Sequence, residues 1–278
     1  MANLTNDSHN TYSIAIGDLD GDGDMDVAVG NGYTSLALDD GINYVYLNTN
    51  GIGTSWARYV VHAHGTGGVD YGDHMTTEVL LEDMDGDGDY DIVSANEPDK
   101  NNEKNSWRVY ISLNNGIGTA WTPDSPLGAL LTPASSIVLG DVDKDGDIDI
   151  AVGHVDKSSS PCGGAKNQLF LNPLYVQKKW EKQDVGPPAA GVDQLNTYSL
   201  DFGDVNGDTW LDLVVGNFQI TGCAAQYNQY NKVYLNTYTS DEYEFDDTYS
   251  VCAGKCVNAS VLENDNFPAG TLITSVST

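Results

Sequence analysis

The chain has 278 residues, with 41 acidic against 12 basic side chains, a formal net charge of −29 and a pI near 4.1. Nucleic acid and anionic membrane surfaces are therefore not expected partners, because both repel a polyanion. No apolar run approaches the roughly 20 residues of a membrane-spanning helix, so no membrane insertion is expected. The length suits one all-β domain or two smaller ones.

In chain order, the first segment is TYSIAIGD (11–18), an apolar-alternating run that reads as a strand. An acidic turn follows, then DVAVGN (26–31) and NYVYLN (43–48), both strand-like, and after the turn NGIGTSW a fourth run opens on Trp56. The order then repeats. The second unit has TTEVLLED (76–83), DIVSAN, WRVYISLN (107–114) and a run opening on Trp121; the third has SSIVLGD (135–141), DIAVGH, NQLFLN (167–172) and Trp180; the fourth has TYSLDFGD (197–204), DLVVGN, NKVYLN (231–236) and Phe245. The acidic turns start at Asp18, Asp83, Asp141 and Asp204, spaced by 65, 58 and 63 residues. Four strands per unit of about 60 residues is the pattern of a propeller blade. The expectation is an all-β chain whose four four-stranded blades span about 11–75, 76–134, 135–196 and 197–251 within a propeller domain 1–251. Residues 252–278 do not repeat and are expected to form a linker and a C-terminal strand, TLITSV, able to pair with a neighbouring subunit.

The turns carry the chemistry. Carboxylates at alternate positions converge on a common point when the chain wraps, a glycine at the sixth position permits the bend, the seventh offers its backbone carbonyl and the ninth closes the shell. Six to eight hard oxygens of this kind are what calcium takes. The predicted ligands are Asp18, Asp20, Asp22, Asp26 and the carbonyl of Asp24; Asp83, Asp85, Asp87, Asp91 and Asp89; Asp141, Asp143, Asp145, Asp149 and Asp147. In the fourth turn they are Asp204, Asn206, Asp208, Asp212 and Trp210, and Thr209 replaces the glycine. A β-branched residue resists that bend, so the fourth of up to four structural calcium ions is expected to bind more weakly. An EF-hand is excluded, since its glutamate at position 12 is here Val29, Ser94, Val152 or Val215 and the flanks are strands. Tandem GGxGxD repeats are absent as well.

The run GDLDGDGDMDVAVG (17–30) and its three echoes resemble the FG-GAP/VCBS repeat, the calcium-loop blade of integrin-α-type propellers and of many surface proteins, over about residues 11–250. The resemblance implies a loop joining the first two strands of each blade and a structural ion. Family propellers usually have more than four blades. Either this ring closes on four, the preferred expectation, or a neighbouring chain supplies further blades, because an open arc exposes apolar faces. The tail VLENDNFPAGTLITSV resembles the opening of a cadherin-like or Ig-like module.

Cys162 and Cys223 fall at matching places in units three and four, so a bridge between adjacent blades is expected; Cys252 and Cys256 would close a small ring, with other pairings open. Asn3, Asn6 and Asn258 begin N-glycosylation sequons. The polar start MANLTNDSHN lacks the apolar stretch of a secretion signal and suits a mature or excised segment. Together these features lean towards an extracellular or cell-surface location. His62, His64 and His74, with Asp70 and Asp73 between them, are candidate transition-metal or ligand groups, though solvated loop histidines are the simpler expectation. No nucleophile–base order and no phosphate-binding loop accompanies the carboxylates, so no enzyme is expected. The expected function is a structural or adhesive surface module, assembled with other copies of itself or other surface proteins, with a filament built through the tail strand as one route. The alternatives are a glycan-binding, lectin-like propeller and the non-catalytic domain of a larger secreted enzyme.

Overall fold

The computed structural model describes residues 4, 9–32, 41–61, 75–97, 108–124, 127, 130, 132–155, 165–173, 180–186, 196–218, 230–239 and 242–251, with backbone alone at 97, 108, 124, 238–239 and 242–251. Its elements are strands in four antiparallel sheets, each laid down in chain order. Sheet 1 holds β1 (Asn10–Gly17), β2 (Asp26–Gly32), β3 (Tyr44–Asn48) and β4 (Trp56–Val60). Sheet 2 holds β5 (Met75–Glu82), β6 (Asp91–Glu97), β7 (Arg108–Asn114) and β8 (Trp121–Asp124). Sheet 3 holds β9 (Ala134–Gly140), β10 (Asp149–His154), β11 (Gln168–Leu171) and β12 (Glu181–Asp184). Sheet 4 holds β13 (Thr197–Gly203), β14 (Asp212–Asn217), β15 (Asn231–Thr239) and β16 (Glu242–Val251). The all-β, four-by-four plan matches the expected blades. No helix among the described residues is long and apolar enough to cross a membrane.

Period-two alternation decides which side of each sheet faces which neighbour. Val79 and Leu81 of β5 meet Leu19, Ala28, Val45 and Leu47 between sheets 1 and 2. Leu80, Val93 and Ile111 meet Ile137, Ile150 and Phe170 between sheets 2 and 3. Val138, Ala151 and Leu169 meet Leu200, Leu213 and Tyr234 between sheets 3 and 4. The inner strands carry these interfaces, β5 lying on β1 and β2, β9 on β5 and β6, and β13 on β9 and β10. The approach is close. A methyl group at Gly30 would come within 2.7 Å of Thr76 Cγ2, and one at Gly153 within 2.7 Å of Thr197 Cγ2. Each first strand has a register shift at the same place, as between Thr11 and Ser13 or between Thr197 and Ser199.

The described residues do not close this row into a ring. No packing of comparable extent joins sheet 4 to sheet 1. Part of the outer side of sheet 1 is covered from its own chain: Leu4 packs with Val29, Tyr44 and Tyr46, and the His9 ring lies 5.1 Å from that of Tyr44. Among the described residues the four sheets form a row in which the extensive contacts of each are with the sheets before and after it, and the expected four-blade closure is not seen.

Candidate metal centres

The acidic turns are the connectors of the first hairpin in each sheet. The final ladder pairs are Gly17 with Asp26, Glu82 with Asp91, Gly140 with Asp149 and Gly203 with Asp212. Strands flank every turn, as the rejection of an EF-hand requires. The first aspartate organises the wrap by accepting backbone N–H groups from inside it. Asp18 Oδ2 accepts from Gly23 N at 3.0 Å, Asp83 Oδ2 from Gly88 N at 3.0 Å, and Asp141 Oδ2 from Gly146 N at 3.2 Å. The third and fifth positions repeat the device one step on: Asp22 N donates to Asp20 Oδ1 and Asp24 N to Asp22 Oδ1. Side-chain-to-backbone turns of this kind substitute for a strand ladder.

This wrap brings carboxylates together. One oxygen from each of Asp18, Asp20 and Asp22 lies within 4.8 Å of the others; the same holds for Asp83, Asp85 and Asp91, and for Asp141, Asp143 and Asp149. Asp18 Oδ1 is buried and has no hydrogen-bond partner among the described residues. Burial, then the neighbouring carboxylates, pushes Asp20 and Asp85 above the usual carboxylate range, and Asp143 up to about 6. Like charges crowded on one turn, with an orphaned oxygen among them, suit a divalent cation, and an all-oxygen donor set selects a hard one such as calcium. The residues present therefore fit the ion expected from the sequence.

The ninth-position aspartates have a second role that the motif did not reveal. Asp26, Asp91, Asp149 and Asp212 are all essentially inaccessible. Asp26 accepts from Leu19 N with one oxygen and from Asn48 N with the other, at 2.8 and 2.7 Å. Asp91 does the same with Met84 and Asn114, Asp149 with Val142 and Asn172, and Asp212 with Val205 and Asn236. Each carboxylate thus ties its turn to the third strand of its own sheet. Desolvation outweighs these N–H groups and raises Asp91 to about 6 and Asp149 to about 8.

The fourth turn departs from the other three. Thr209 adopts φ +76°, where Gly23, Gly88 and Gly146 lie between +92° and +97°. The bend that a β-branched residue should resist is made here. Asp204 holds it by accepting N–H groups from Gly207, Asp208 and Thr209 at 2.7–3.1 Å. Slight desolvation at Asp204 is outweighed by these donors, so its carboxyl is held low. Asn206 directs its amide nitrogen at Asp208 Oδ2, 2.8 Å away. Lys144 of the third turn, itself at φ +59°, reaches across to Thr209 Oγ1 at 2.7 Å and lies 4.1 Å from the Trp210 ring.

The turns are also wired to the neighbouring sheet. Asn114 Nδ2 donates to the carbonyl of Leu19, Asn172 Nδ2 to that of Met84 and Asn236 Nδ2 to that of Val142, at 2.8, 3.1 and 2.8 Å. Near the opposite end of the first strands, Val79 N donates to Ser13 Oγ, Ile137 N to Glu78 Oε2 and Leu200 N to Ser136 Oγ, at 3.1, 2.6 and 3.2 Å. The asparagine that ends each third-strand motif (Asn48, Asn114, Asn172, Asn236) was visible in the repeat as a recurring final letter. Its task was not visible, because its partner is up to 95 residues away. Cys162, Cys223, Cys252, Cys256, His62, His64, His74, Asn3, Asn6, Asn258 and the tail strand lie outside the described residues.

Among solved structures, the chain is similar to an Agrocybe aegerita lectin described as recognising non-reducing terminal N-acetylglucosamine, at 20% identity and TM-score 0.42, over 72% of this chain and 45% of that one. It is also similar to the rhamnogalacturonan lyase YesW, at 16% identity and TM-score 0.47, over 75% of this chain and 40% of that one. The chain thus spans less than half the length of either. Residues 83–152 match the model of the FG-GAP-like repeat and residues 10–47 that of the FG-GAP repeat, so the acidic hairpins of the first three sheets fall within FG-GAP repeats found at two places in the chain.

Proposed function

We propose that this chain is a calcium-binding, non-enzymatic structural or adhesive module of an extracellular surface. The observation that carries this reading is the convergence of three carboxylate oxygens within 4.8 Å at the same place in three sheets. The ligands are the side chains of Asp18, Asp20, Asp22 and Asp26 and their counterparts in the second and third turns, joined by the carbonyls of Asp24, Asp89 and Asp147. Asp204, Asn206, Asp208, Asp212 and the carbonyl of Trp210 form a weaker fourth site. A bound ion supplies positive charge that cancels the repulsion inside each turn. Three of the turns also accept an asparagine from the next sheet, so ordering a turn orders an interface. Partners on this reading are other surface proteins or further copies of the chain.

The test is metal content after dialysis against buffer with calcium, together with a calorimetric titration of the metal-free protein. Binding of three calcium ions and a weaker fourth is expected, in the roughly 10⁻⁴–10⁻³ M range of extracellular modules or tighter. Absence of any bound divalent ion at millimolar calcium would overturn the assignment. Calcium-dependent signals on a glycan array would replace the structural role with a lectin-like one.

A further inference from the structure

We propose that the outer faces of sheets 1 and 4 are the two halves of one more inter-sheet interface, and that copies of this chain dock end to end through them. The three interfaces inside the chain reuse the same positions. The apolar side chain that follows the register shift points at the preceding sheet and is covered there: Val79, Ile137 and Leu200 are 1%, 2% and 7% exposed. Ile14, at the same position in sheet 1, is 59% exposed, and Ile16 and Tyr12 beside it are exposed too. At the other end of the row, the second residue of each turn plugs into the following sheet. Leu19, Met84 and Val142 are 1%, 3% and 1% exposed, whereas Val205 in sheet 4 is 52% exposed.

The polar groups match in the same way. The two hydrogen bonds that recur between sheets leave, at the ends of the row, two acceptors on sheet 4 (Ser199 Oγ and the Val205 carbonyl) and two donors on sheet 1 (Ile14 N and Asn48 Nδ2). None of the four makes an inter-sheet bond among the described residues. The glycine that admits a neighbour is kept as well. A methyl group at Gly17 or Gly140 would lie 3.0 or 2.9 Å from a leucine of the next sheet, but one at Gly203 meets nothing within 4 Å. Among the described residues, Leu4 and His9 cover sheet 1 around Tyr44, and Ile14 and Ile16 along β1 are exposed. Insert, acceptor, donor and glycine are thus all present on faces that have no sheet packed against them among the described residues.

A second copy of this chain is the occupant that supplies the complementary half at both ends. Such a contact is heterologous, using different surfaces on the two partners, so it builds a closed ring of copies or a filament according to the rotation it imposes. Two residues break the pattern: Glu82 stands in sheet 2 where Gly17, Gly140 and Gly203 stand, and Asp201 stands, exposed, where Ala15, Leu80 and Val138 stand in the other sheets. The Asp201 charge weakens docking against the apolar strip of sheet 1. The inference does not depend on the metal assignment, and it is read in mass rather than in metal content.

The experiment is sedimentation velocity on the full 278-residue chain at fixed calcium, in about 0.5 M salt to screen the like charge and from about 1 µM to about 1 mM. Mass should rise above one chain with concentration. Ile14→Asp and Val205→Asp should each remain at one chain while keeping the wild-type circular dichroism and Tm, since both positions are exposed. An equimolar mixture of the two variants should restore one interface and stop at two chains. Asp201→Ala should associate at about tenfold lower concentration. A wild-type chain that stays single throughout overturns the inference, whether residues 252–278 or nothing covers the strip. So does association undiminished in either variant, or a mixture that stays single.

Discussion

The four asparagines that end the third-strand motifs form a natural perturbation series, because they share a position in the repeat and differ in their neighbours. Asn114 accepts from Gly118 N at 3.0 Å and donates to the carbonyls of Leu19 and Tyr90 at 2.8 and 3.0 Å. Asn48 keeps the first of these bonds, from Gly53 N at 3.2 Å, but makes no inter-sheet bond among the described residues. In the comparison of Asn114→Ala with Asn48→Ala the turn bond cancels. What remains is two buried donor bonds at about 1–1.5 kcal/mol each, the upper value where the loss orphans the Leu19 carbonyl in a covered site. The difference should be about 2–3 kcal/mol. At roughly 2–4 °C per kcal/mol for a chain of this size, that is about 4–12 °C in Tm. Thermal unfolding followed by circular dichroism, at fixed calcium and at a dilution where the chain is single, measures it. Equal losses in the two variants would show that the inter-sheet bond contributes nothing, and would sink the account of how turns are wired to neighbouring sheets.

Chelation should lower the Tm and abolish any calcium-dependent rise in it. Asp18→Ala and Asp83→Ala should cost more than Asn206→Ala in calcium buffer, since the fourth turn is already compromised; the opposite ranking contradicts the ligand assignment. Thr209→Gly should stabilise the chain by about 0.5–1 kcal/mol, because relief of a β-branched residue at φ +76° exceeds the loss of an exposed bond to Lys144. A lower Tm in that variant would show that the Lys144 link holds the turn. In chelator, the raised values of Asp149 (about 8) and of Asp91 and Asp143 (about 6) mean that the folded chain keeps protons the unfolded chain gives up. Metal-free stability should therefore rise as pH falls from about 8 to about 6.5. Below that, buried His154, held neutral by desolvation, opposes the trend because the unfolded chain protonates it. With calcium present the slope should reverse, since protons then compete with the ion; a calcium-free Tm that falls between pH 8 and 6.5 would refute the cause given for these shifts.

The strands and turns were legible because they are local. Period-two alternation in TYSIAI and TTEVLL, and the spacing of Asp18, Asp20 and Asp22, need only a dozen residues to declare themselves. What escaped was everything set by distant partners. A carboxylate opening a strand, such as Asp149, scans as one more ligand; only the fold shows its two oxygens bound by Val142 N and Asn172 N. The strain expected at Thr209 was the right concern, but the three N–H groups gathered by Asp204 overcome it. Ring closure was also beyond reach. Each repeat specifies its neighbours through Ile14-type and Leu19-type side chains, and nothing within a repeat states how many are needed.

Junctions that reuse the same positions between successive sheets have a modular consequence. The same positions serve at each junction, so a whole unit could be duplicated or excised from the middle without redesigning any contact, and length becomes an evolutionary variable separate from foldability. Sheets 1 and 4, each packed against one other sheet among the described residues, are then the places where fraying begins and where hydrogen exchange should be fastest, while sheets 2 and 3 behave as the protected centre of a short polymer.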